Sequence, residues 1–254
     1  MTEIPLEGGF ISRAVRVGDT VHRQPGPHAK FIHQLLRHLE DRGWRGAPRF
    51  LGMDALGREM LTYLDGHVPH SGGQPPVTGP QNLVAVANLL RQFHDLTAGT
   101  PLARDQEVVC HNDLSPKNTV YDSSASTARP VAFIDWDLAA PGARIHDVAH
   151  LCWQYLNLGP DIDDVAQAAS HLQLVCNTYG LNDHHAVVDT ILWWQKRCWR
   201  GIESRAAAGE AAMTALRGTG TVEAIRAAHH WVHSHRVQLT SAGAPVPIAG
   251  WPRR

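Results

Sequence analysis

Side chains alternate over residues 14–17 and again over 20–23, and Gly18 and Asp19 stand between the two runs, which predicts a β-hairpin. The period then changes. Phe31, Ile32, Leu35, Leu36 and Leu39 recur at spacings of three and four, so residues 28–42 are expected to form an amphipathic helix closed by Gly43. Two more strands are expected at 48–51 and 59–64, with Gly57 in the turn between them, and the Gly/Pro-rich run 71–80 separates this small sheet from the rest of the chain. A helix over about residues 80–96 comes next. After Gly142 the apolar periodicity is helical over 146–155, 161–179, 184–208 and 222–238. No internal repeat appears.

The composition suits a compact enzyme. Of 254 residues, 43% are hydrophobic and 19% charged, with a formal net charge of -1, so a core can be buried and no basic surplus invites nucleic acid. The first residues lack a basic, apolar leader, and no apolar run approaches the roughly 20 residues of a membrane span, so no membrane partner and a cytoplasmic location are expected. Cys110, Cys152, Cys176 and Cys198 are scattered and lack Cys-x-x-Cys spacing, which favours reduced, buried thiols over bridges or zinc.

Two acidic signatures change the picture. Residues 110–118 read Cys-His-Asn-Asp-Leu-Ser-Pro-Lys-Asn, which sets Asp113 and Asn118 five apart with His111 two residues upstream. The apolar run 131–134 ends in Asp135-Trp136-Asp137. A hydroxyl nucleophile needs a carboxylate within hydrogen-bond reach, and charge on transferred phosphoryl oxygens needs a hard cation held by oxygen ligands. Asp113 fits the first need, and Asn118 with Asp135 fits the second, in the order and spacing of a kinase catalytic loop and its magnesium ligand. Alone, Asp113 would read as a turn or helix cap. The two signatures together point to phosphoryl transfer.

On these residues the chain resembles the aminoglycoside phosphotransferase family, which carries His-x-Asp-x-x-x-x-Asn followed by Ile-Asp-Trp/Phe-Asp. The resemblance implies an α+β, bilobal protein-kinase-like fold: a small β-rich N-lobe over 1–65 and a larger, mostly helical C-lobe over 66–254 that holds the catalytic loop and the acceptor site. It implies an ATP- or GTP-dependent O-phosphotransferase that uses Mg2+ to move the γ-phosphoryl group to a hydroxyl of a small molecule, an antibiotic or a metabolite. The nucleotide would meet Arg23, a phosphate loop at Gly8 and Gly9, and Tyr63 and Leu64 near the interlobe hinge. His111 would brace the catalytic loop, and Asp147 would tie the start of a helix to it. Ser115 stands where protein kinases carry Lys, a departure that suits small-molecule kinases. Asp137 is open between helping the metal and capping the turn before Pro141. The N-lobe departs from the pattern, since Arg23 ends the strand where a Lys is expected and the following helix offers His33 and Gln34 where an acid is expected. Arg can clasp phosphate with a planar fork of donors, though not with the point charge of Lys. Gly8-Gly9 lacks the full glycine-loop spacing. A kinase-like binding or regulatory protein with a degenerate nucleotide site is therefore the alternative.

Four other patterns compete for attention. His146 and His150 flank Asp147 in a weak imitation of a zinc-protease helix, but Asp is shorter than the Glu that motif uses and no third ligand is signposted. The clusters His184-His185 and His229-His230 with His233 and His235 read as solvated helix faces. Trp153, Trp193, Trp194 and Trp199 read mainly as core, with one or two available to a ligand. Acidic residues in the same region, from Asp161 to Glu223, are offset by basic ones, so no acidic pocket for a polycation is evident.

Overall fold

The computed structural model describes residues 2–6, 14–69, 79–122 and 129–241. Gly8, Gly9 and most of the 71–80 run lie outside them. The chain divides into two compact units, one of Met1–Val77 with Leu89–Arg144, the other of Thr78–Asn88 with Ile145–Arg254.

The first unit is built on a five-stranded antiparallel sheet. Its strands are β1 (Ile4–Pro5), β2 (Val15–Val17), β3 (Thr20–Arg23), β4 (Phe50–Met53) and β5 (Glu59–Thr62), in the order β1-β2-β3-β5-β4. The expected hairpin is β2 with β3, in the register Val15↔His22 and Val17↔Thr20. Between β3 and β4, α1 (Ala29–Asp41) buries Ile32, Leu35, Leu36 and Leu39, the stripe its periodicity marked. Strand β4 starts two residues later than expected, and β5 ends at Thr62, one bond of the same register beyond it joining Tyr63 N to Asp19 O at 2.8 Å.

Beyond β5 the chain is stitched to the strands that carry the acidic signatures. His67 and Tyr121 exchange two backbone hydrogen bonds of 2.8 Å. Gly66 is the residue that permits this approach: its φ is +149°, and a Cβ there would stand 2.6 Å from Tyr121 O. After α2 (Pro80–Thr97), β6 (Val108–Cys110) pairs with β9 (Ala140–Gly142), and β7 (Thr119–Asp122) pairs with β8 (Arg129–Phe133), all antiparallel. Two short 3-10 turns, Pro116–Asn118 and Trp136–Leu138, close the loops between them.

The second unit is helical: α3 (Arg144–Tyr155), α4 (Val165–Tyr179), α5 (His184–Ala207), α6 (Ala211–Gly218), α7 (Thr221–Ser234) and α8 (Arg236–Thr240). Helix α4 begins four residues later than its apolar pattern suggests, because Asp164 caps it by accepting from Gln167 N at 2.9 Å. The helix expected over 222–238 is two, broken at His235, whose ring Nδ1 and backbone N both donate to Trp231 O. Helix α6 is an addition to the expected set. It packs Met213 into a cluster with Ile202, Ala206 and Val222. None of the four cysteines is in a disulfide, as expected, and only Cys198 is partly exposed. Among the described residues no helix is long and apolar enough to cross a membrane.

Candidate active site

The loop predicted to be catalytic follows β6 directly. Asn112 takes a left-handed backbone (φ 64°) and donates its Nδ2 to Leu138 O at 3.0 Å, which sets Asp113 at the start of the bend. The Asp113 side chain is half-buried while Leu114 beneath it is fully buried, so the loop is anchored by one residue and presents the next. Asn118 then bends back and donates Nδ2 both to Asp113 O at 2.8 Å and to Asp113 Oδ2 at 2.7 Å. With the amide nitrogen spent on Asp113, the oxygen of Asn118 faces away from it.

The second acidic signature is tied to the first through its backbone. Ile134 N donates to Asn118 O at 2.9 Å, and Ile134 O accepts from His111 Nε2 at 3.1 Å. Asp135, the next residue, is held in the left-handed region at φ 62°, ψ 61°, a conformation a non-glycine residue adopts at a cost of about 1 kcal/mol or more. The surrounding packing enforces it: Trp136 is buried 4.6 Å from the His111 ring and 4.9 Å from Phe93 of α2, and its Nε1 donates to Phe133 O at 3.0 Å. His111 thus touches the second signature through both Ile134 O and the Trp136 ring. The Asp135 side chain remains about half exposed, where a ligand can reach it.

Arg23 comes to the same place from β3. Its Nε donates to Glu59 Oε1 at 2.6 Å, its Nη2 to Asp137 Oδ1 at 2.5 Å, and its Nη1 to Asp137 Oδ2 at 3.1 Å and Asp135 Oδ1 at 3.4 Å. Burial works against the charged guanidinium, but Asp137, Glu59 and Asp135 outweigh it and hold its pKa above the ordinary arginine range. Glu59 is 1% exposed and uses its other oxygen to accept from His33 Nε2 at 2.6 Å; the His33 ring lies stacked on Phe50, 3.6 Å between centroids. The acid missing from the helix is therefore on β5, and the helix contributes the histidine that holds it. Sequence reasoning missed Glu59. The available signal was an acid sharing the inward face of a strand with Leu61.

Tyr63 and Leu64 follow β5, with the Arg16 guanidinium 3.6 Å from the Tyr63 ring centre. Ser115 Oγ is buried without a hydrogen-bond partner among the described residues. Asp147 is fully buried in the first turn of α3, in the second unit, where a helix N-terminus favours its charge. His146 and His150 rest against Trp193 and Trp194 respectively, at 5.2 Å each. Trp153 and Trp194 are buried, whereas Trp193 is 44% exposed.

The oxygen donors of Asn118 and Asp135 are of the kind a magnesium ion takes, and the left-handed turn at Asp135 aims a carboxylate out of a packed loop, so these residues fit a hard cation.

Comparison with known proteins agrees with this geometry. Residues 100–185, which contain both acidic signatures, match the model of the phosphotransferase enzyme family. The trifolitoxin immunity protein of Rhizobium leguminosarum bv. trifolii is 32% identical over 203 residues, 71% of this chain and 75% of that protein. The chain belongs to the phosphotransferase enzyme family. Its fold, that of the kinase-like aminoglycoside phosphotransferases, is shared with solved structures at low identity. A protein of Ralstonia eutropha JMP134 assigned to the aminoglycoside phosphotransferases superposes with a TM-score of 0.61 at 13% identity, covering 92% of each chain. The complex of APH(2")-IIIa with GDP and kanamycin gives 0.59 at 15% identity, covering 89% of this chain and 93% of the other. This family member is a phosphotransferase in which Arg23 ends β3 and pairs with the buried Glu59.

Proposed function

We propose that the protein is an ATP- or GTP-dependent O-phosphotransferase acting on a hydroxyl of a small molecule, in the cytoplasm. The observation that carries the reading is the joint between the two acidic signatures, in which Asn118 holds Asp113 and Ile134 bonds both Asn118 and His111. Asp113 accepts a hydrogen bond from the acceptor hydroxyl and orients it, taking its proton as the phosphoryl group leaves the nucleotide. Asp135 and Asn118 would hold magnesium, which supplies positive charge to the phosphoryl oxygens. His111 positions both loops, and Tyr63 and Leu64 flank the nucleotide next to β5.

The acceptor in this reading is not a polycation. Asp164 and Asp183 cap helices, and Asp189, Glu203 and Glu210 are each paired with an arginine, Arg236, Arg226 and Arg205. Five of the eight carboxylates from Asp161 to Glu223 are thus engaged, which limits what this region offers to several ammonium groups. Immunity is what the Rhizobium relative is named for, and inactivation of a toxic hydroxylated compound is one role this chemistry can serve.

The alternative, a binding module with a weak nucleotide grip, draws on Arg23, whose donors turn to carboxylates. Glu59 speaks for the enzyme, since it anchors Arg23 as an acid should. A thermal-shift panel separates the two: magnesium with ATP or GTP at about 100 times Kd should stabilise the protein by about 2.7 kcal/mol. No shift and no calorimetric heat at millimolar nucleotide would favour the binding module.

A further inference from the structure

Arg23 and Glu59 stand directly opposite each other in the β3–β5 ladder, and Glu59 Oε1 accepts from Arg23 Nε at 2.6 Å. In the kinase pattern the acid that steadies the strand cation is on the helix, so the pair forms or breaks as the helix moves. Here the pair lies within one sheet, and α1 reaches it by another route. His33 donates Nε2 to the second Glu59 oxygen, Oε2, at 2.6 Å, while its ring is stacked on Phe50 of β4. The last torsion of a glutamate is broad, so one hydrogen bond leaves the carboxylate plane loose and a second, on the other oxygen, fixes it. Glu59 is 1% exposed and Arg23 7%, so water offers little in place of either bond. On its far side Arg23 meets both oxygens of Asp137 and Oδ1 of Asp135.

We infer that His33 is a positioning residue for nucleotide binding: through Glu59 it fixes the pose of Arg23, and through Arg23 the carboxylates of the turn that carries Asp135. A side chain that orients the partner of a ligand commonly changes binding although it touches no ligand itself. Glu59 paired with Arg23 is ionised and accepts at both oxygens, so the Nε2 atom of His33 carries the hydrogen. Loss of that donor leaves a buried carboxylate oxygen unpaired and frees Glu59 to turn, taking the planar Arg23 fork with it. The ligand, a magnesium nucleotide, rests on the phosphotransferase reading; the chain of contacts does not.

The test compares His33→Gln, whose amide nitrogen reaches as far as Nε2, with His33→Phe and His33→Asn, which lack a donor at that reach. Calorimetry measures the binding of non-hydrolysable ATP and GTP analogues with Mg2+ to the full chain. Proton–nitrogen magnetic resonance follows the Arg23 Nε–H signal, assigned by its loss in Arg23→Lys. His33→Phe and His33→Asn should weaken the tighter-binding analogue about tenfold, the lower end of what loss of an orienting partner costs, and should shift or broaden the Arg23 signal. His33→Gln should restore the signal and bring affinity to within about threefold of wild type. A merely structural His33 would lower the urea midpoint of the variants without a donor and leave affinity and signal where they were. That result, an unmoved affinity beside a moved signal, or a His33→Gln protein as weak as His33→Phe would overturn the inference. If His33→Phe fails to fold, His33→Asn decides. Wild type that binds neither analogue would defeat the phosphotransferase reading and this role of His33 together, with a moved Arg23 signal leaving the contacts standing.

Discussion

Asn118 donates its side-chain amide to the Asp113 carboxylate at 2.7 Å, so one of the two metal-ligand candidates also fixes the orientation of the carboxylate proposed as base. The two residues are five apart and a 3-10 turn over Pro116–Asn118 brings them together, with Pro at its start to limit the backbone. Substitutions at Asn118 therefore act in two ways at once, on metal and on catalytic geometry.

Asp135→Ala should weaken magnesium-dependent nucleotide binding more than Asn118→Ala does, because a carboxylate brings charge to the cation and an amide brings only a dipole. Asn118→Ala should in turn reduce turnover beyond its effect on binding, since Asp113 loses its partner. Calorimetry with and without magnesium checks the first part. Nucleotide affinity that ignores magnesium in wild type and both variants would contradict it.

Glu59→Gln should destabilise the fold by about 3 kcal/mol, the usual cost of removing one partner from a buried ion pair. Arg23 keeps Asp137, but the buried Nε and His33 lose a charged acceptor. Urea unfolding measures this directly. A change below about 1 kcal/mol would mean that Glu59 is not the anchor of Arg23.

Acid stability should depend on Asp54. His22 Nδ1 donates to its Oδ2 at 2.9 Å and Arg58 Nε at 2.7 Å, and these bonds, His22 first, hold its carboxyl well below the usual carboxylate range against the opposing effect of burial. A depressed carboxylate contributes stability above its unfolded pKa of ~4 and loses that contribution as the pH falls toward its folded value. The wild-type urea midpoint should therefore drop as the pH falls below about 4, and Asp54→Asn should flatten that drop. Parallel acid limbs in the two proteins would remove Asp54 from the account.

Helices are the part of the fold most readable from sequence, because the stripe of Ile32, Leu35, Leu36 and Leu39 is a local pattern and the structure buries those residues. Their ends are less readable. Asp164 and His235 decide where α4 and α7 start or stop through side-chain bonds to backbone, which apolar periodicity does not register. Asp113, Asn118 and Asp135 stand out because their spacing is set within short loops. Glu59 does not, since its partners Arg23 and His33 are 36 and 26 residues away and only the β3–β5 pairing brings them together. The kinase pattern directs attention to an acid on α1. Here the helix supplies His33, and the strand supplies the charge.

Transfer of the γ-phosphoryl group to a hydroxylated small molecule is the central claim, and phosphorus magnetic resonance reads it most directly. Wild type with magnesium and ATP or GTP, offered a panel of hydroxylated compounds, should yield a phosphate monoester and the nucleoside diphosphate. Asp113→Asn should bind nucleotide as wild type does and form that monoester about 100-fold more slowly or worse. A monoester formed by Asp113→Asn at the wild-type rate would contradict the account.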